Sequence, residues 1–308
     1  IEDYEKIIAT LDEVLADQQL GESDRQYVRS LKGWAHNRRG ESLVHSGQEE
    51  QALAEFDRAV DLNNQHWKAL HNRGVSLAHI GRVDEAIADF GRVLNLKQDY
   101  PNSWFNRGEL LYEQGQFEKA MADYNRAIEL DSEDPGFYNS RGHAYYRLRQ
   151  FDKAVADYDK SIQYDPQNPA AHVNRGDVLL ELGRYEDAAK DYMTAIELDA
   201  NLGRAYQSAA WMMAVCPVER FRDAERAVNA AEKALELDGR DDYRYLETVA
   251  AALANADRFE EAVQLQTEVV KLAPQPDKAR TESLLALFKA EQPFRLPEIQ
   301  ATTASRPE

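Results

Sequence analysis

The sequence predicts an all-α chain, a right-handed α-solenoid of antiparallel helix pairs, and three observations carry that expectation. A block of 34 residues recurs in tandem. Glycine, alanine and an aromatic return at fixed places within it, and proline and glycine punctuate it as helix starts and stops. A repeat array buries one continuous core between neighbouring copies, so its 308 residues form one architecture rather than several unrelated domains.

Residues 1–32 read as an N-terminal helical cap. Tyr4, Ile7, Ile8, Leu11, Val14 and Leu15 fall at helical spacing, with a stop at Gly21. Ser23, with Gln26 three residues on, is placed to start a second helix through a capping box, and that helix runs past Trp34 and Gly40 to a break at Gly47. Residues 33–202 hold five regular repeats, whose first positions are Gly33, Trp67, Pro101, Pro135 and Pro169. Position 8 is Gly40, Gly74, Gly108, Gly142 and Gly176; position 20 is Ala52, Ala86, Ala120, Ala154 and Ala188; position 24 is Phe56, Phe90, Tyr124, Tyr158 and Tyr192. Helix A is expected over about the first fourteen positions, ending at a glycine at 15 (Gly47, Gly81, Gly115, Gly183), and helix B over about 18–31. Asp134 and Asn168, each before a first-turn proline, suit N-caps. Glycine inside a helix costs about 1 kcal/mol against alanine. At position 8 it is therefore expected to permit close approach, with the aromatic at 24 wedged against the next repeat.

Residues 203–276 form two divergent copies. Ala210 replaces glycine, and an insertion near 215–222, around Cys216, lengthens the turn. Ala250, Phe259, Ala262 and Pro274 restore the register in the seventh copy. In 277–308, Leu284, Leu285, Leu287 and Phe288 mark a capping helix. The polar tail after it is expected to be held by the array's own surface or by a neighbouring molecule's groove.

With this period and this small–small–aromatic pattern, the chain resembles the tetratricopeptide repeat (TPR) family, over Gly33 to Leu202 with five strong copies. Histidine or leucine stands at some position-4 sites where the family favours tryptophan, which Trp104 keeps. The resemblance implies a TPR superhelix that binds peptides or proteins. One known ligand mode of the family, a clamp on a C-terminal carboxylate, needs lysine at position 5 and asparagine at 9. Here position 5 holds Asn37, His71, Phe105, Asn139 and Val173, and position 9 holds Glu41, Val75, Glu109, His143 and Asp177, so that mode is disfavoured.

Two polar patterns repeat. Position 7 is Arg39, Arg73, Arg107, Arg141 and Arg175, and position 23 is Glu55, Asp89, Asp123, Asp157 and Asp191. Both are lost in the sixth and seventh copies, where Ala209 and Val249 stand at 7 and Ala230 and Leu265 at 23. Presence or absence of both together predicts a structural ion-pair ladder stitching helix A to helix B or to the adjacent repeat. A helical wheel puts positions 2, 5, 6, 9 and 13 on the face of helix A away from its partner, the candidate groove. Asn72, Asn106 and Asn174 share position 6, and a row of amides matches the donors and acceptors of an extended backbone. Specificity is expected from Lys68, His71, Phe105, Glu109, His143, Arg147, Asp177, Arg204 and Trp211, each of which could instead be packed between helices.

Lysine and arginine number 37 against 55 acids, a net charge of −18 that disfavours nucleic acid and anionic membrane as partners. No phosphate-binding glycine loop, His-Glu-x-x-His, Cys-x-x-Cys or Gly-x-Ser-x-Gly is present, so no enzymatic activity, cofactor or metal is expected. The expected function is a non-enzymatic protein-protein interaction scaffold binding an extended peptide or partner helix. Its rival is a regulatory or oligomerisation module of a larger protein with its catalytic domain outside this chain, self-associating through its ends or C-terminal tail. The chain starts at Ile1 rather than methionine, so an upstream segment is expected, a removed export signal being one form of it; the compartment, cytoplasmic or exported, stays open.

Overall fold

The computed structural model describes residues 2–298. Among them are sixteen α-helices, one short 3₁₀ turn and no strand. The fold is all-α, built of antiparallel helix pairs, and it divides into two compact units, residues 1–144 and 145–308.

The first unit opens with α1 (Glu2–Leu15) and α2 (Glu22–His45). The capping box expected at Ser23 and Gln26 does not form; Gly21 holds the N-cap position without a side-chain bond. Arg25 instead ties α2 to the end of α1, donating to the Leu15 and Asp17 carbonyls at 2.7 and 2.9 Å. The boundary expected after residue 32 falls inside a helix, because nothing between Ser23 and Gly47 breaks the helical pattern. Cap and first helix A are one element of 24 residues. α3 (Glu49–Leu62), α4 (Trp67–His79), α5 (Val83–Leu96), α6 (Pro101–Glu113) and α7 (Phe117–Leu130) follow. α8 (Pro135–Arg147) begins in this unit, its first turn held by Asp134, whose carboxylate accepts from the Gly136 N–H at 2.7 Å.

The second unit contains α9 (Phe151–Tyr164), α10 (Pro169–Glu181), α11 (Tyr185–Leu198) and α12 (Gly203–Val215), then a 3₁₀ turn (Glu219–Phe221) in the insertion. α13 (Ala224–Asp238), α14 (Tyr243–Asn255), α15 (Phe259–Leu272) and α16 (Gln275–Lys289) complete it. Asn168 caps α10 by accepting from the Ala170 and Ala171 N–H groups at 3.1 and 3.4 Å.

The turn between helices A and B explains the period. Position 15 takes a left-handed conformation in Gly47, Gly81, Gly115 and Gly183, with φ of 72–79°. Arg149, Asp257 and Glu291 adopt it at φ of 53–58° without being glycine, at a cost of about 1–2 kcal/mol each. This kink turns the next two amides back onto the helix: in the first repeat Gly47 N–H donates to the Val44 carbonyl and Gln48 N–H to Leu43, both at 2.9 Å. Glu291 lies 34 residues after Asp257, so the C-terminal helix α16 is in register as the helix A of an eighth copy.

Close approach at position 8 works within a repeat rather than against the next one. A Cβ built on Gly40, Gly74, Gly108 or Gly176 would lie 2.5, 3.0, 2.8 or 2.6 Å from a ring carbon of that repeat's own Phe56, Phe90, Tyr124 or Tyr192. Those rings are at most 1% exposed, and the alanines at position 20 are fully buried. Where alanine stands at position 8, as Ala210 and Ala250, position 24 holds Ala231 and Gln266 instead of a ring.

Candidate peptide-binding faces

The arginine at position 7 joins three helices. Its guanidinium forks onto the acid at 23 of its own repeat: Arg73 to Asp89 at 2.6 and 2.8 Å, Arg107 to Asp123 at 2.7 Å twice, and Arg175 to Asp191 at 2.8 and 2.7 Å. It also reaches position 25 of the preceding repeat, Arg73 to Asp57 at 3.0 Å, Arg141 to Asn125 at 2.7 Å and Arg175 to Asp159 at 2.6 Å. Arg39 stands 3.6 Å from Glu55 and pairs with Glu5 of α1, which takes the place of a preceding repeat. The position-23 acids are 3–5% exposed, so these arginines compensate buried charge. Where the ladder stops, Met193, Ala209 and Ala230 line a cavity of about 650 Å³ beside the insertion.

In the first unit the residues expected on the free face divide. Lys68 is exposed over the Trp67 ring and lines a cleft of about 390 Å³ with Trp34, Asn37 and Glu41. Asn106 is half-buried, and Asn72 donates to Asn37 and Glu41, both at 3.0 Å. His71 is not on the face. It packs between the Phe90 and Tyr100 rings with Nδ1 2.8 Å from the Ser103 hydroxyl, and burial drops its pKa to about 4. Phe105 stacks on Phe137 at 4.9 Å and so is also an interhelical contact. His143 stacks on Tyr112 at 6.4 Å, and Glu109 accepts from the Tyr124 hydroxyl. A buried tyrosine needs a partner for its hydroxyl, and the position-9 acid supplies it.

In the second unit Asp177 repeats that arrangement. It accepts from the Tyr192 hydroxyl at 3.0 Å and from Arg204 at 2.9 Å, while Arg147 is exposed and Asn174 is 4% exposed. Beside Trp211 the face is occupied by residues 293–296 of the chain itself, half-buried and without regular secondary structure. The Phe294 ring lies 6.0 Å from that of Trp211. Arg295 donates from Nη1 to the Ala214 carbonyl at 3.0 Å and from Nη2 to Asn255 Oδ1 at 2.7 Å, and the Leu296 N–H donates to the Val215 carbonyl at 2.9 Å. Trp211 and Asn255 occupy positions 9 and 13. The expectation that the array's surface holds the tail thus describes 293–296; residues 299–308 lie outside the described residues.

A family profile described as "TPR repeat" matches residues 77–115 and 108–148, and one described as "Tetratricopeptide repeat" matches 139–209. Residues 77–209 are thus tetratricopeptide repeats. Its fold is similar to that of a tetratricopeptide repeat protein from Parabacteroides merdae, at TM-score 0.64 and 19% identity over 83% of this chain and 98% of that one. It is likewise similar to PilF of Pseudomonas aeruginosa, at 0.60 and 18% over 71% and 97%, and to MamA of Desulfovibrio magneticus RS-1, at 0.52 and 20% over 55% and 95%. No curated protein sequence matches. The helical wheel misplaced position 5, whose His71 and Phe105 pack between helices, and it missed the carbonyls of Ala214 and Val215. The signal for the Ala214 carbonyl was the insertion, which removes the residue whose amide takes that carbonyl in the other repeats. Among the described residues no group of three or more His, Cys, Asp or Glu is arranged to hold a metal ion. Cys216 is buried, which pushes its thiol pKa up and keeps it protonated.

Proposed function

We propose that this protein is a non-enzymatic interaction scaffold that holds extended peptide segments on the exposed faces of its A helices. The observation that carries the reading is the seat of residues 293–296, a stretch without regular secondary structure fixed by a main-chain bond, an arginine fork and a ring contact. Main-chain contacts give such a site affinity, and side-chain contacts give it specificity. The family match supports the same role. Asn106 and Lys68 in the first unit, and Arg147, Asp177 and Arg204 in the second, offer further polar contacts to a ligand. Asn72 and Asn174 contribute less than an open amide row would, one engaged by neighbouring side chains and the other buried. A net charge of −18 favours a basic or mixed ligand.

The test is a random-peptide display selection against the full chain, followed by affinities of the best peptides for wild type, Asn106→Ala, Arg204→Ala and Trp211→Ala. A selected peptide that weakens by about tenfold, 1.4 kcal/mol, on one of these variants supports the scaffold reading. Failure to select any peptide, or equal binding to all four proteins, overturns it.

A further inference from the structure

Seven of the eight A helices end the same way, and α12 does not. In the seven, the position-15 amide donates back to the position-12 carbonyl, as Gly81 N–H does to Ala78 at 3.0 Å and Glu291 N–H to Phe288 at 3.1 Å. The insertion puts Cys216 and Pro217 at this point, with Cys216 at φ −57° and ψ 132°, so the chain leaves α12 extended and no left-handed residue closes it. The Met213 carbonyl still finds a partner inside the loop, the Asp223 N–H at 3.3 Å. The carbonyls of Ala214 and Val215 are taken by Arg295 and Leu296. A guanidinium suits the site: a helix C-terminus carries partial negative charge, and the planar fork reaches a carbonyl and the Asn255 amide oxygen together.

We propose that residues 293–296 are a resident ligand, and that the open end of α12, with Trp211 and Asn255, recognises an extended aromatic–arginine–aliphatic triplet that a partner protein presents by displacing the chain's own Phe294–Arg295–Leu296. The triplet follows from the contacts: a ring on Trp211, a cation on helix carbonyls, and an aliphatic side chain on the apolar cluster that Leu296 joins. This rests on the scaffold reading and names the ligand chemistry and regulation of one of its faces. The tail competes in cis, so apparent affinity for a partner falls by the fraction of time the socket is open.

The experiment uses the full chain and a labelled synthetic peptide spanning residues 292–298. Phe294→Ala/Arg295→Ala, which loosens the resident segment, is expected to bind the peptide about tenfold or more tightly than wild type. A peptide with alanine in place of Arg295 is expected to bind neither protein. A second readout needs no variant: saturating peptide should increase hydrogen exchange at the Leu296 amide of wild type, because displacement breaks its bond to Val215. Equal affinity for wild type and variant, no binding to a variant that keeps its helical signal, or unchanged Leu296 exchange under saturation overturns the proposal. A full-chain dimer that the peptide dissociates would assign the displacing segment to a second copy and overturn the partner assignment. Display-selected peptides that bind at Asn106 regardless of the tail would sustain the scaffold reading while this inference fails.

Discussion

Arg73 tests the ladder directly, because its guanidinium, like that of Arg175, bonds both the acid of its own repeat and that of the preceding one. It forks onto Asp89 at 2.6 and 2.8 Å and reaches Asp57 at 3.0 Å, with the Arg73 side chain 18% exposed and Asp89 only 3%. Arg73→Ala strands a buried carboxylate, and removing one partner of a buried pair costs about 3–5 kcal/mol. Arg92 stands 3.4 Å from Asp89, but at 42% exposed it is a weak substitute. It brings the expected loss down to about 2–3 kcal/mol. Arg73→Met/Asp89→Leu removes both charges and is expected to lie within about 1 kcal/mol of wild type. Repeat arrays can unfold piecewise, so a single denaturation midpoint is not enough. The assay is therefore amide hydrogen exchange across α4 and α5 alongside urea denaturation. A single variant costing less than about 1 kcal/mol, or a double variant as unstable as the single, would refute the account of these arginines as compensation for buried acids.

Gly176→Ala should lose about 1–3 kcal/mol, because the new Cβ would lie 2.6 Å from Tyr192, whereas Ala210→Gly should lose about 1 kcal/mol through helix propensity alone; thermal melts of both variants check the contrast. Gly91→Asp should gain about 0.5 kcal/mol, since it removes a glycine from inside α5 and places an acid where a Cβ would be 3.8 Å from Arg107 Nη1, the one charge-ladder arginine facing glycine at that site; urea denaturation reads it. Burial pushes the Asp191 carboxyl up, but bonds from Arg175 and His172 outweigh burial and hold its pKa below the ordinary 3.8. A depressed folded-state pKa contributes stability above the unfolded value that disappears as pH falls through the folded one, so urea midpoints should decline below about pH 4. Asp191→Asn should be less stable at neutral pH and lack its share of that acid slope.

Much of the fold was legible because the turn and the core repeat with one period. Gly47, Gly81, Gly115 and Gly183 gave the left-handed turn directly, and register alone carries it to Arg149 and Asp257, where no glycine marks it. The ladder was legible because the arginine at position 7 and the acid at position 23 vary together. Position 5 was misread for a definite reason. A wheel drawn on one helix pair omits the A helix of the next repeat, whose position 3 meets it: Ser103 bonds to His71, and Phe137 stacks on Phe105. The pairing of position 9 with position 24 was also present in the sequence. The pairing holds in part only: Tyr124 and Tyr192 accompany Glu109 and Asp177 and Phe90 accompanies Val75, but Phe56 accompanies the acid Glu41 and Tyr158 accompanies His143. It requires knowing that the ring fills the glycine's space in its own repeat, which brings its hydroxyl to position 9.

The sixth repeat departs from the pattern at positions 7, 8 and 15, and each departure has its own physical consequence. Loss of arginine at 7 goes with the loss of the acid at 23, and in place of a buried ion pair there is a cavity of about 650 Å³ lined by Met193, Ala209 and Ala230 and rimmed by Arg220, Arg222, Arg226 and Lys233. Alanine at 8 goes with Ala231 at 24, which has no ring to clash. Loss of the left-handed residue at 15 is compensated within the loop at the Met213 carbonyl, which takes the Asp223 N–H, but the Ala214 carbonyl at position 12 loses the amide that takes it in the other repeats and accepts instead from Arg295, 81 residues away. In the regular repeats the polar groups near the face are largely engaged internally, Asn72 with Asn37 and Glu41, Glu109 with Tyr124. A ligand there must compete with bonds already made. At the end of α12 the acceptors belong to the backbone, and among the described residues the bonds to the Ala214 and Val215 carbonyls come from residues 295 and 296 rather than from their own repeat, at the one turn where the repeat breaks its own rule.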